Sequence, residues 1–285
     1  MQRSLSYGVL RARLRDYVGD KDALLDFLRM SRYALLQGPW QPLLIRHYQK
    51  ADRNQPMPVY PDTLFAEIQA GDAVSELTRE ARAHGFRVPA AMVEEVIDYA
   101  HELNLKRIDD PHLDCDAVRR IAYDPAIVNV ARGFLRAEPI LFDTKLYWTL
   151  PPADPSLRMR AAAEHGRFHY DLADFKALTV FVYLTDVDEE SGPHVVIRGT
   201  QERHTPLQIF KRFIADDEAK RRYPDRVEVI TGPRGTGWFE DITCYHKQMP
   251  GSKPRLMLSL IYSLQRRRLE GKTSRRFAKA AVGPS

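Results

Sequence analysis

From residue 140 onward the sequence is a succession of short β-rich runs, and that succession narrows the possible folds sharply. ILFDTKLYWTL, KALTVFVYLTDV, HVVIRG, RVEVIT, TGWFEDI and RLMLSLIYSL follow one another, separated by turns that contain Gly and Pro. Many short strands rich in β-branched and aromatic residues make a β-sandwich or jelly roll, in which each strand buries one face against a second sheet. One helical insertion, LQIFKRFIADDEAKRRY, interrupts the series.

The chain before this point reads differently. KDALLDFLRMSRYALL, DTLFAEIQA, DAVSELTREARAHG and VPAAMVEEVIDYAHELN each place apolar residues three and four apart, which predicts helices. ADRNQPMPVYP, residues 51–61, is a Pro-rich connector between them. The class expected is therefore α+β: a helical region over residues 1–136 packed on a β-sandwich or jelly-roll core over 137–265, with a basic tail over 266–285.

Composition excludes several other classes. A chain of 285 residues that is 44% hydrophobic and 28% charged folds as a globular protein with a sizeable core. No window carries the roughly 18 consecutive apolar residues of a membrane helix, and the N-terminal stretch has no apolar signal core, so a cytoplasmic protein is expected. The two cysteines, Cys115 and Cys244, form no CxxC pair and fit a reducing compartment. Much of the net charge of +5 lies in QRRRLEGKTSRRFAKA, where Arg266, Arg267, Arg268, Arg275 and Arg276 cluster with no aromatic between them, so no nucleic-acid partner is expected.

The chemistry begins in RFHYDLADFKALTVFVYL, residues 167–184. On a strand, residues i and i+2 share a face, so His169 and Asp171 aim together while Tyr170 points away. A histidine and a carboxylate on one face supply two ligands of a 2-His-1-carboxylate triad, the arrangement that holds Fe(II) and leaves open positions. A second histidine must complete it. His47, His84 and His101 sit in the helical half and read as structural; His194 and His204 read as rim residues flanking HVVIRG. His112 and Asp114 repeat the His-x-Asp pattern in DPHLDCD, but there Asp114 or Asp116 reads as a helix N-cap, where i and i+2 diverge. His246, following the β run of FEDITCYHKQM, is the ligand expected.

Arg255 opens RLMLSLIYSL, and an arginine entering a buried strand needs an anionic partner, which a dicarboxylate co-substrate would supply in bidentate form. By alternation, Thr179, Phe181 and Tyr183 are the better cavity wall in ALTVFVYLT, with Thr179 a co-substrate contact. In ILFDTKLYWTL the inward set is read as Ile140, Phe142, Thr144, Leu146 and Trp148, making Thr144 and Trp148 co-substrate contacts too, with Asp143, Lys145 and Tyr147 outward. Cys244 shares a face with His246 and reads as a small packed residue. SLRMRAAAEHGR, just ahead of HYD, brings Arg158, Arg160, His165 and Arg167 near the mouth and suggests a small anionic substrate.

From about Asp110 to Leu264 the chain resembles the phytanoyl-CoA dioxygenase family of Fe(II)/2-oxoglutarate oxygenases. The resemblance rests on AYDPAIVNVARGFLRAEPILF, HYD, VFVYLTDVDEESGPHVVIRGTQERH and CYHKQMPGSKPRLMLSLIYS. It implies a double-stranded β-helix, Fe(II) held by His169, Asp171 and His246, 2-oxoglutarate salt-bridged to Arg255, and dioxygen as co-substrate. It also implies hydroxylation of an unactivated C–H bond, since related halogenases lack the carboxylate that Asp171 provides. Two departures stand out: Gly199-Thr200-Gln201 replaces a frequent Gly-Ser-His, and Arg255-Leu256-Met257 replaces the Arg-x-Ser of some relatives. A zinc-dependent hydrolase on the same three ligands and a non-catalytic basic binding module remain the alternatives.

Overall fold

The computed structural model describes residues 40–50, 56–151, 167–171, 174, 176–201 and 213–264. In chain order the helices are α1 (Gln41–Lys50), α2 (Ala70–Glu80), α3 (Ala90–Leu103), α4 (Asp116–Ala122), α5 (Pro125–Leu135) and α6 (Asp216–Arg222). The strands are β1 (Arg82–Arg87), β2 (Arg107–Asp109), β3 (Ile140–Thr149), β4 (Phe168–His169), β5 (Ala177–Tyr183), β6 (His194–Ile197), β7 (Phe213–Ile214), β8 (Val227–Ile230), β9 (Thr236–Glu240), β10 (His246–Gln248) and β11 (Arg255–Ser263). They form two sheets, ordered β1-β9-β5-β11-β3-β2 and β7-β4-β10-β6-β8, in which every pairing is antiparallel.

The β-rich half thus folds as its pattern predicts, but two strands precede it. RAHG, expected to continue a helix, leaves it at Ala81, whose φ of 65° is left-handed, and with Phe86 and Arg87 pairs as β1 with the edge of β9. Tertiary pairing overrides helical periodicity here. DTLFAEIQA is not helical before Ala70 either. Its Thr63 hydroxyl and Leu64 amide donate to the buried Asp124 carboxylate at 2.8 Å each, which ties this segment to the start of α5. The same carboxylate caps α5 through the Ala126 amide. Neither Asp114 nor Asp116 caps α4: the residue before that helix is Cys115, without a side-chain bond. Of the predicted insertion, the part described is β7 and the short α6; KDALLDFLRMSRYALL, His204 and the basic tail lie outside the described residues.

The main core lies between the larger sheet and the helices. Val96, Ile121, Ile127 and Leu135 pack there against Leu178, Val180 and Val182 of β5 and Leu256, Leu258 and Leu260 of β11. The opposite faces of β5 and β11 look toward the second sheet, so all residues of both strands are buried. That two-sided burial explains their near-continuous apolar sequences. Gly237 lets β1 approach β9: a Cβ there would lie 2.6 Å from the Phe86 ring. No helix among the described residues is long and apolar enough to cross a membrane.

Candidate metal centre

Two short strands of the smaller sheet set the centre. His246 on β10 is the direct cross-strand partner of His169 on β4, a pairing that brings side chains on one face within about 5 Å at Cβ; the two imidazole centroids are 4.7 Å apart. Each ring is fixed by a hydrogen bond from Nδ1 to a backbone carbonyl two residues earlier, His169 to Arg167 at 3.3 Å and His246 to Cys244 at 3.1 Å. Both therefore present Nε2, as metal-binding histidines do when a carbonyl holds the other nitrogen.

Asp171 is not on the strand with His169, because β4 ends at His169. Its amide donates instead to the Ile242 carbonyl at 2.8 Å. That backbone bond holds Asp171 just beyond the strand and leaves its carboxylate 3.8 Å from His246 Nε2. Ligand atoms of His169, Asp171 and His246 all lie within 4.8 Å of one another, a donor set whose chemistry fits a divalent metal with open positions.

Behind His246 lies a second polar cluster. The Glu240 carboxylate, fully buried, accepts from the Trp238 indole N–H at 3.0 Å and from His194 Nε2 at 3.0 Å, with Cys244 Sγ at 3.8 Å and His246 Nδ1 at 3.8 Å. Burial opposes the charge of Glu240, but the adjoining His194 and His246 imidazoles and the indole N–H outweigh it and hold the carboxyl down at about 2. Burial pushes His194 below the usual imidazole range despite the carboxylate beside it, and it pushes the Cys244 thiol well up. His194 is thus no rim residue: it is 4% exposed and its ring stacks on that of His246, 5.4 Å and 23° apart. Glu240 is absent from the expected site residues, although a carboxylate inside the apolar run TGWFEDI demands a partner just as Arg255 does.

A cavity of about 470 Å³ opens in front of the histidines, lined among others by Tyr147, Trp148, Thr179, Phe181, His194 and Met257. The alternation read on β5 holds for Thr179 and Phe181, which line this space, while Tyr183 does not line it and its hydroxyl is bonded to the Ile230 carbonyl and the His194 amide. On β3 the reading is reversed: Lys145 and Tyr147 line the cavity, while Leu146 joins the helix-side core and Thr144 bonds His112 Nδ1 at 2.7 Å. Both alternating sets of this strand carry aromatic or hydroxyl side chains, so the presence of Phe142, Thr144 and Trp148 in one set does not tell the cavity face from the helix face. Trp148 reaches the cavity and also packs on His101 at 5.4 Å. His112 is half-buried and held by Thr144, whose strand neighbour Leu146 belongs to the helix-side core.

Arg255 is completely buried. It donates to the Gly192 carbonyl and, at 3.4 Å, to Thr149 Oγ1, while its Nε has no hydrogen-bond partner among the described residues. Gln248, which lines the cavity, donates to the same Thr149 hydroxyl at 3.0 Å. Thr179 Oγ1 is likewise buried without a partner among the described residues. Arg167 is exposed beside Phe213, its guanidinium 5.6 Å from the ring centroid. Arg158, Arg160 and His165 lie outside the described residues.

No known family model matches the chain, and no curated protein does. Solved structures do. EctD from S. alaskensis with bound Fe has a TM-score of 0.49 at 16% identity, over 79% of this chain and 88% of that one. AviO1 from Streptomyces viridochromogenes Tue57 has a TM-score of 0.48 at 14% identity, over 69% and 95%. The epimerase SnoN, in complex with Fe3+, alpha ketoglutarate and nogalamycin RO, has a TM-score of 0.50 at 18% identity, over 68% and 82%. The chain shares with SnoN its fold, two antiparallel sheets closing as a jelly roll around a cavity.

Proposed function

We propose that the protein is a non-haem Fe(II)/2-oxoglutarate-dependent dioxygenase of the phytanoyl-CoA dioxygenase type, on a double-stranded β-helix core, and that it hydroxylates an unactivated C–H bond of a small anionic molecule. The observation that carries this reading is the convergence of His169, Asp171 and His246 on a cavity, together with the buried Arg255, which is outside the cavity lining and is linked to it through Thr149 and the lining residue Gln248. His169 and His246 would hold Fe(II) through Nε2 and Asp171 through its carboxylate. Bound there, Fe(II) with 2-oxoglutarate and dioxygen supplies the oxidising power for C–H cleavage, releasing succinate and carbon dioxide.

The chain's own part is binding and positioning. Arg255, its Nε unspent, receives the far carboxylate of 2-oxoglutarate, and Thr149 and Gln248 align the guanidinium. Thr179 offers a second hydrogen bond to the same molecule. Tyr147, Phe181 and Met257 keep water from the slot. Lys106 offers the cavity a positive charge that favours an anionic substrate, whereas the lining residues Arg107 and Lys145 are paired with Asp109 at 2.8 Å and Asp143 at 2.5 Å. Zinc hydrolysis on the same ligands would have no use for an arginine in this place.

The test is anaerobic loading with Fe(II), followed by 2-oxoglutarate and air, with succinate measured. Iron bound at one ion per chain together with succinate release is the outcome expected. Tight zinc binding without succinate release under any candidate substrate would sink the proposal.

A further inference from the structure

His169 and His246 are held very differently, although they sit opposite each other. His169 lies on a two-residue strand, its Nδ1 bond is 3.3 Å long, and Asp171 beside it has a side chain 45% exposed. His246 is 5% exposed and is fixed on two further sides, by the stacked His194 ring and by the Glu240 carboxylate 3.8 Å from its Nδ1.

Glu240 is itself locked. Trp238 and His194 donate to it, and the His194 ring is confined between Phe181 at 5.2 Å, Trp238 at 5.7 Å and His246. The His194 amide donates to the Tyr183 hydroxyl at 2.8 Å, and that hydroxyl donates to the Ile230 carbonyl at 2.9 Å. Glu240 belongs to the larger sheet, and His194 and His246 to the smaller. A buried charge that bridges two sheets directly behind one proposed ligand is costly to maintain unless every contact is kept.

Glu240, Cys244 and His246 also have metal-binding chemistry and lie close enough together to share an ion. Their polar atoms are committed elsewhere, however: His246 Nδ1 to the Cys244 carbonyl, the thiol toward Glu240, and Glu240 to Trp238 and His194. The cluster reads as a support and not as a second metal site.

We propose that Glu240, with His194 as its partner, is a positioning residue for the metal centre: its charge behind Nδ1 and the stacked ring fix the orientation of His246 and strengthen Nε2 as a ligand. This rests on the metal reading of His169, Asp171 and His246. Outer-shell partners behind ligating histidines act in this way elsewhere, and their loss weakens metal binding about 10- to 100-fold; here the Cys244 carbonyl takes the Nδ1 hydrogen bond and Glu240 adds its charge 3.8 Å away.

The experiment uses the full chain, with Co(II) and Fe(II) as probes under anaerobic conditions. Affinity is measured by calorimetry, stoichiometry by elemental analysis and ligand geometry by the visible spectrum of the Co(II) form. Glu240→Gln keeps the size of the side chain and removes its charge; Trp238→Phe removes one donor to the carboxylate and leaves both histidines in place, which guards against a Gln variant that fails to fold. Ile121→Val, in the helix-side core, supplies a loss of stability remote from the centre. The expected result is one metal per chain, weaker binding by about 10- to 100-fold in Glu240→Gln, a smaller loss in Trp238→Phe, an altered Co(II) spectrum in both, and unchanged affinity in Ile121→Val. Unchanged affinity and spectrum in folded Glu240→Gln and Trp238→Phe overturn the positioning role, and two metals per wild-type chain overturn the assignment of the cluster as a support. Failure of the wild type to bind either metal is a different result: it removes the metal reading and this inference with it.

Discussion

Single side chains decide whether the centre works, and two of them can be separated from look-alikes. His-x-Asp occurs at His112–Asp114 and at His169–Asp171. His112 is spent on Thr144, whereas His169 lies across from His246. His169→Ala should therefore abolish Fe(II) binding while His112→Ala leaves it intact, as checked by metal analysis of the anaerobically loaded variants. Equal loss in both would mean that metal affinity tracks general folding. Arg255 is the second case. Under the proposed function Arg255 pairs with the far carboxylate of 2-oxoglutarate; replacing it with Gln would then remove a bidentate ionic partner, a loss of about 2–5 kcal/mol for a broken buried charge pair, so 2-oxoglutarate affinity should fall on the order of 30-fold or more. Metal binding should persist, because Arg255 is no ligand. A titration of succinate formation against 2-oxoglutarate reads the first effect, and an unchanged half-saturating concentration would leave Arg255 a purely structural residue. Both residues are visible in the sequence because each breaks a local rule, a polar pair before an apolar strand and a cation inside one. His194 and Glu240 are harder to see: their bond spans 46 positions and two sheets, and only the sheet packing brings it about.

At the level of elements, periodicity reports burial but not the direction of burial. The alternation in β3 is plain, yet a strand between a helix layer and a polar cavity has two covered faces, and the apolar residues take the helix side. β1 is hidden for a related reason: RAHGFR carries no strand pattern of its own and is a strand only because β9 offers it an edge. The close approach of these two strands makes a local prediction. Gly237→Ala would put a methyl group against the Phe86 ring, which cannot swing aside because Phe65 and Phe239 flank it at centroid distances of 4.7 Å and 5.4 Å. Overpacking of this kind costs about 1–3 kcal/mol. Denaturant unfolding should show that loss, and an unchanged midpoint would mean that the ring relaxes more readily than its neighbours suggest.

For the molecule as a whole, the helices are part of what holds the sheet. They cover Leu178, Val180 and Val182 of β5 and Leu256, Leu258 and Leu260 of β11, and β1 and β2 close the two edges of the larger sheet. A fragment beginning at residue 137 would expose that apolar face and lose both edge strands. It should not unfold cooperatively by calorimetry or circular dichroism; a sharp, reversible transition in the isolated fragment would show that the jelly roll stands alone. The pairing of Arg82 with Glu240 also bears on how the chain is made. At about 5–20 residues per second of synthesis, the β1 segment waits roughly 8–30 s for its partner to emerge. Through that interval a nascent chain carries a strand with no edge to join. Arg82 and Arg87 at its two ends, and the irregular register between Ala83 and Phe86, make that segment a poor template for another chain while it waits.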